Sequence, residues 1–179
     1  GRPVVGVQCR GSGELPEDER QYGSPFTTES AFFELDGLPV ICEMTASFHR
    51  LARGFLADRF SVYGDVASFE APQVNGEDPV LHEAERGALR PGQRSRKVTV
   101  ERDALPPLAD LVPEPIAGVV RASRAPRGLP LAYEFVRAVL EERAPAVDAA
   151  TAANWTAAGI CAHESAMQDG AWVEVPRFG

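Results

Sequence analysis

The sequence predicts an α+β fold, in which a mostly antiparallel mixed β-sheet has helices packed on one face. Two observations favour this fold. Short segments with alternating apolar and polar residues follow one another through the N-terminal part of the chain, as in strands with one packed face. Two segments with helical spacing then close the chain. A length of 179 residues corresponds to about one domain, so we expect a single domain over residues 1–179.

The predicted strands begin close to the N-terminus. Val4 to Gln8 is the first, and the acidic loop ELPEDERQYGSPFTT follows it. Ala31 to Phe48 is the clearest hairpin, because Asp36 and Gly37 at its centre tolerate positive φ. Its second strand alternates, so that residues 40, 42, 44, 46 and 48 share one face and residues 41, 43, 45, 47 and 49 share the other.

A second hairpin and a long variable segment come next. Phe60 to Tyr63 and Ala67 to Glu70 form the hairpin, around a turn at residues 64–65. Arg50 to Asp58 fits either a short helical turn or an irregular strand. Residues 72–127 are rich in Pro, Gly and charge, which predicts surface loops with Val98 to Glu101 as the main strand.

The closing segment, residues 129–176, predicts helix, corner, helix and strand. Pro130 suits a first helical turn, Pro145 would stop that helix, and Asp148 is a candidate N-cap for the next one. The first helix should turn one apolar face toward a core, formed by Leu131, Phe135, Val136, Val139 and Leu140.

The second closing helix should present small residues to a neighbouring element. Gly170 is a candidate C-terminal cap, and Trp172, Val173 and Val175 predict a short strand. The expected stripe consists of Ala152, Trp155, Gly159, Ala162 and Ala166.

This order of elements resembles the C-terminal sheet domain of the Gfo/Idh/MocA family, dehydrogenases in which a nucleotide-binding domain precedes a sheet domain. The resemblance rests on the hairpin AFFELDGLPVICEMTASF, the strand and turn SVYGDVASFE, the variable excursion and the closing helices. It implies a parent oxidoreductase that uses NAD or NADP on a sugar, cyclitol or similar hydroxy compound. This domain would then form one wall of the pocket for the polyhydroxylated substrate.

The resemblance also implies partners. The family associates through its open sheet, so we expect a homodimer or homotetramer formed through the face with Ile41, Thr45 and Ser47. The chain's own N-terminal nucleotide-binding domain, with the catalytic lysine and the Asp and His pair of the family, would lie before Gly1. No catalytic residue and no cofactor is therefore assigned to this chain. The alternative is a stand-alone, non-catalytic binding or scaffold module with the same fold.

One glycine-rich segment resembles a nucleotide motif and is interpreted as a turn. GSGELP, at residues 11–16, follows a strand, but Pro16 occupies the position of the last glycine in GxGxxG. Glu14 and Glu17 would repel a pyrophosphate.

Substrate contacts are expected from the stretch before FSVYG, as the resemblance implies. Arginine there can donate several hydrogen bonds to hydroxyl or carboxylate oxygens. In the alternative interpretation, Leu51 and Phe55 belong to the core and the arginines face water. The candidates are His49, Arg50, Arg53 and Phe55, together with Arg20 and Tyr22 in the acidic loop.

Several classes of function have no support in the sequence. A net charge of −8 would repel a phosphate backbone, and the basic cluster at residues 86–97 lacks the interleaved aromatics that stack on bases. No segment approaches the roughly 20 apolar residues of a membrane span. We therefore expect neither nucleic acid nor a membrane as a partner. Three cysteines without a CxxC pair indicate reduced thiols and a cytoplasmic protein.

Metal binding and nucleophilic catalysis also lack a motif. Cys161 and His163 are two residues apart on a helix, so their side chains should diverge and hold no metal. Ser165 has no GxSxG context and is expected on the helix surface.

Overall fold

The structure, a computed structural model, describes residues 2–20, 23–47, 58–73, 77–85, 87, 91–92, 97–102, 106–123 and 128–179. The chain forms two compact units. The first comprises Gly1–Ala104 and Ala153–Gly179, and the second comprises Leu105–Ala152.

Within the described residues, an eight-stranded antiparallel sheet forms the body of the first unit, in the order β7-β6-β5-β4-β3-β2-β1-β8. The first seven strands are a simple meander, and β8 returns to pair with β1 at Gly6 and Val7. With its helices, this sheet confirms the predicted α+β fold. The strands are β1 (Val4–Ser12), β2 (Thr28–Leu35), β3 (Ile41–Ser47), β4 (Asp58–Tyr63), β5 (Ala67–Glu70), β6 (Val80–Ala84), β7 (Val98–Arg102) and β8 (Val173–Glu174).

Both predicted hairpins are confirmed, and the local turn chemistry explains them. Gly37 has a φ of 63°, the left-handed region that a side chain disfavours, at the turn between β2 and β3. The Gly64 N–H donates to the Ala67 carbonyl at 3.0 Å and closes the turn between β4 and β5.

The prediction of surface loops over residues 72–127 is wrong in two places. Strand β6 pairs with both β5 and β7 and thereby extends the sheet. A 3₁₀ turn at Leu108–Leu111 and helix α1 (Ile116–Ala122) follow in the second unit. Both form because the few apolar residues among the prolines bury together: Ala109, Val112, Ala117 and Val120 make a small core.

Helix α2 (Gly128–Leu140) lies in the second unit. The side of this helix that is buried is not the predicted apolar face. Pro130 does stand in its first turn. Leu129 and Tyr133, however, are the residues that pack on the small core. The helix has apolar residues on more than one side, so periodicity alone selected the wrong side. The predicted five, Leu131, Phe135, Val136, Val139 and Leu140, are 53% to 77% exposed.

The end of α2 also differs from the prediction, because the helix stops at Leu140, before Pro145 is reached. Glu142 adopts a φ of 51° and the Arg143 N–H donates to the Ala138 carbonyl, a left-handed C-terminal cap. The Arg143 guanidinium binds both carboxylate oxygens of Glu134, at 2.7 and 2.8 Å. This contact lowers the pKa of Glu134 to about 2.

Helix α3 (Ala149–Met167) supplies the helical cover of the sheet. Asp148 is its N-cap, as predicted, and accepts the Thr151 N–H at 2.7 Å. Gly170 follows the helix with a φ of 82° and donates to the Ser165 carbonyl, also as predicted. The buried side of the helix packs on Val7, Cys9 and Ala31 and consists of Ala157, Ala158, Cys161, Ala162, Ser165 and Ala166.

The predicted small-residue stripe of α3 is therefore only partly right. Ala162 and Ala166 are buried, whereas Ala152, Trp155 and Gly159 are exposed. Trp155 is too bulky for the close helix–sheet approach that alanine allows, and 66% of it is exposed. The closing strand is β8, two residues long rather than extending from Trp172 to Val175.

Candidate functional site

A pocket of about 220 Å³ lies between α3 and the face of the sheet that α3 covers. Period-two alternation places Glu29, Ala31 and Phe33 of β2 on this face. The register brings Ala46 opposite Glu29 and Met44 opposite Ala31 in β3. This confirms the predicted alternation of β3 at residues 44 and 46, which share the packed face, whereas residue 48 lies outside the described residues.

Helix α3 forms the other wall with Gly159, Ala162 and His163. Glycine and alanine leave open the volume that a larger side chain would fill, so the helix can lie close to the sheet and still leave a pocket. All lining residues belong to the first compact unit.

The polar feature of the pocket is a hydrogen-bonded pair of Glu29 and His163. Glu29 is only 8% exposed. Its Oε1 lies 2.8 Å from Nδ1 of His163 and 3.2 Å from the hydroxyl of Ser24, which is itself buried. An ionised carboxylate only accepts hydrogen bonds, so Nδ1 of His163 donates to Glu29.

Part of this pair remains available to a ligand. Among the residues that the structure describes, both hydrogen bonds to Glu29 go to Oε1 and neither goes to Oε2. The side chain of His163 is more exposed than that of Glu29, 36% against 10%, and thus lies nearer the solvent. The pocket therefore combines apolar walls with one carboxylate oxygen that can accept a hydrogen bond from a ligand.

Cys9 lines the same pocket, and its surroundings favour the protonated thiol. Burial, and then the negative charge of Glu29, raise the pKa of the Cys9 thiol to about 11. The thiol is therefore protonated near neutral pH, whereas the thiolate is the reactive form. Cys9, Cys42 and Cys161 are all free thiols, as predicted.

Ser165 is completely buried, so its expected place on the helix surface is wrong. Its hydroxyl accepts a hydrogen bond from the Cys9 N–H at 2.8 Å and donates one to the Ala171 carbonyl. Strand β8 pairs with β1 only at Gly6 and Val7. Farther along β1, the Ser165 hydroxyl accepts the Cys9 N–H in place of a β8 carbonyl. Ser165 therefore has a structural role.

Most of the substrate-contact candidates lie outside the described residues, namely His49, Arg50, Arg53, Phe55 and Tyr22. Arg20 is described, and its Nε donates to the Leu15 carbonyl at 3.1 Å, away from the pocket lining. These six residues remain predictions. In the glycine-rich segment, the chain leaves β1, turns at Gly13 with a φ of 74° and enters a 3₁₀ turn at Glu17–Glu19.

Sequence reasoning missed the pair of Glu29 and His163, although one signal was present. Glu29 is in phase with Ala31 and Phe33 on a strand whose other side is mostly polar, so strand alternation places it on the packed face. Nothing local connects it to His163, which is 134 positions away. Among the described residues, no group of three or more His, Cys, Asp or Glu side chains could hold a metal ion.

Comparison with known proteins shows a similarity of fold to a solved structure. No protein-family model and no curated protein matches this sequence. The chain is similar to a solved structure of a levoglucosan dehydrogenase in complex with NADH and levoglucosan, with a TM-score of 0.55 and 14% identity. The match covers 98% of this chain and 45% of that one, so this chain spans less than half the length of the dehydrogenase.

The likeness assigns the chain to an architecture, the antiparallel-sheet α+β fold found in part of a dehydrogenase. Among the described helices, none combines the length and the apolar character that crossing a membrane requires.

Proposed function

We propose that this chain is the substrate-binding and oligomerisation domain of an NAD(P)-dependent oxidoreductase that acts on a sugar, cyclitol or similar hydroxy compound. The observation that carries the proposal is the fold likeness over nearly the whole chain to part of a dehydrogenase bound to NADH and levoglucosan. The resemblance of the sequence to the Gfo/Idh/MocA family supports the same assignment. A shared fold hosts many activities, so the reaction itself needs a direct test.

In this proposal the chemistry is divided between two domains. The N-terminal nucleotide-binding domain of the same protein holds NAD or NADP and the catalytic groups. The sheet domain contributes one wall of the substrate pocket through the segment before β4. The proposed contacts are His49, Arg50, Arg53 and Phe55, with Arg20 and Tyr22 in the acidic loop.

The test is the coding sequence upstream of Gly1 and the activity of its longer product. We expect a strand, GxGxxG and helix there, followed about 90 residues later by a Lys-Pro motif. The longer protein should reduce NAD or NADP with polyhydroxylated substrates, and residues 1–179 should not bind NADH. A start codon directly before Gly1 would refute the proposal.

A stand-alone binding module is the second candidate, and the pocket favours it. The pocket and its polar pair lie within one compact unit. Ligand binding there would need no second domain. A natural protein that begins at Gly1, binds a small molecule and lacks dehydrogenase activity would support this candidate over the first.

A further inference from the structure

We propose that the pocket between α3 and strands β1–β3 binds a small, mainly apolar compound that carries a single hydroxyl group, such as a phenol or a cyclic alcohol. This ligand class differs from the polyhydroxylated substrate of the proposed oxidoreductase. The inference does not rest on that proposal, because it uses only residues of the first compact unit.

The size of the pocket suits a compound built on one ring. Its volume is about 220 Å³, and an apolar protein cavity of roughly 150 Å³ is enough to bind benzene. Phe33 and Met44 supply the larger apolar walls, while Ala31, Ala46 and Ala162 supply flat ones. A flat ring can contact all of these surfaces at once, and the burial of its apolar surface favours binding.

The polar groups require the ligand to bring a hydrogen-bond donor. Oε1 of Glu29 already accepts from Ser24 and His163, whereas Oε2 has no partner among the described residues. Nδ1 of His163 is the donor to Glu29, so the unoccupied carboxylate oxygen is the acceptor that a ligand can use. A single hydroxyl can donate to Oε2 of Glu29, and hydrogen bonds to a charged acceptor are the stronger kind.

The number of donors separates this class from two others. An ammonium group brings three N–H donors, and a sugar brings several hydroxyls. The apolar walls could not satisfy the additional groups, and each buried polar group left without a partner weakens binding. One hydroxyl on an apolar body matches what the pocket offers.

Calorimetric and NMR titration of the full chain with phenol, anisole and levoglucosan tests this inference. We expect saturable binding of one phenol, with shifts in the methyl signals of Ala31, Met44 and Ala162. Anisole has the same ring but no donor, so it should bind at least roughly tenfold more weakly. Levoglucosan should not displace phenol.

Two neighbouring substitutions in β3 provide matched variants. Ala46→Leu fills the pocket and should abolish phenol binding. Thr45→Leu adds the same side chain one residue away on the opposite face, where Thr45 contacts Ser30, and should leave the affinity unchanged. Thermal unfolding confirms that both variants fold.

A third variant tests the polar anchor. Glu29→Gln should reduce the preference for phenol over anisole by several-fold, because the charged acceptor is lost. The inference is overturned if the unmodified chain shows no saturable phenol binding, if anisole binds equally well, or if phenol still binds when Ala46 is leucine. None of these outcomes depends on whether a longer product has dehydrogenase activity.

Discussion

The protonation state of the Cys9 thiol affects the stability of the first unit. Its folded-state pKa, about 11, is above the ordinary value of 9.0. The folded state therefore holds the thiol proton more tightly than the unfolded state does. The resulting stabilisation is complete below pH about 9 and is lost as the pH rises through about 11. A shift of this size corresponds to on the order of 2–3 kcal/mol.

Chemical unfolding at pH 8 and pH 10.5 measures this effect. We expect the unmodified protein to lose more unfolding free energy between the two pH values than Cys9→Ala does, because the variant has no thiol to ionise at this position. Equal losses in the two proteins would contradict the assignment. The comparison cancels contributions from other groups that titrate in the same range.

Ser165 predicts a second effect at the residue scale. Removing its hydroxyl in Ser165→Ala leaves the Cys9 N–H without its side-chain partner inside the core. We expect a loss of about 1–3 kcal/mol of unfolding free energy. Glu164→Ala is the matched control, since Glu164 is exposed on the same helix and its replacement should change stability by less than about 0.5 kcal/mol.

At the scale of elements, the sequence predicts features that one or two residues determine. Asp36 and Gly37 suffice for a hairpin, Asp148 for a helix start and Gly170 for a helix end, because each acts on its own backbone. The sequence did not predict strand β6, because five residues with a central histidine give a weak period-two signal. Glu29 and His163 meet only through the fold, so no local pattern could pair them.

Helix α2 shows the limit of periodicity and provides a test. Phe135 is 60% exposed, whereas Ala138, three residues later, is 2% exposed. Phe135→Glu should therefore change the unfolding free energy by less than about 0.5 kcal/mol. Ala138→Glu places an unpaired charge in a buried position and should cost more than about 2 kcal/mol. Comparable destabilisation by both substitutions would show that the predicted apolar face is buried after all.

At the scale of the whole molecule, the two faces of the sheet have different surroundings. Helix α3 packs on Val7, Cys9 and Ala31 of one face. The other face carries Ser30 and Thr45, which hydrogen-bond across the strands at 3.0 Å, and the exposed side chains of Phe32 and Ile41. Large apolar side chains on a mostly polar sheet face are a feature of association surfaces.

The proposed association through this open face can be tested with a single substitution that introduces a charged side chain. We expect light scattering to show a dimer or tetramer of the 19.3 kDa chain at high concentration. Phe32→Lys should shift the population toward monomer, because it places an unpaired charge in the interface. Phe60 lies on the opposite face, across from Met44, and is comparably exposed, so Phe60→Lys should leave the oligomeric state unchanged. A strict monomer at high concentration would refute the proposed role in association. A dimer that Phe60→Lys disrupts and Phe32→Lys does not would show that the interface lies on the face that carries α3.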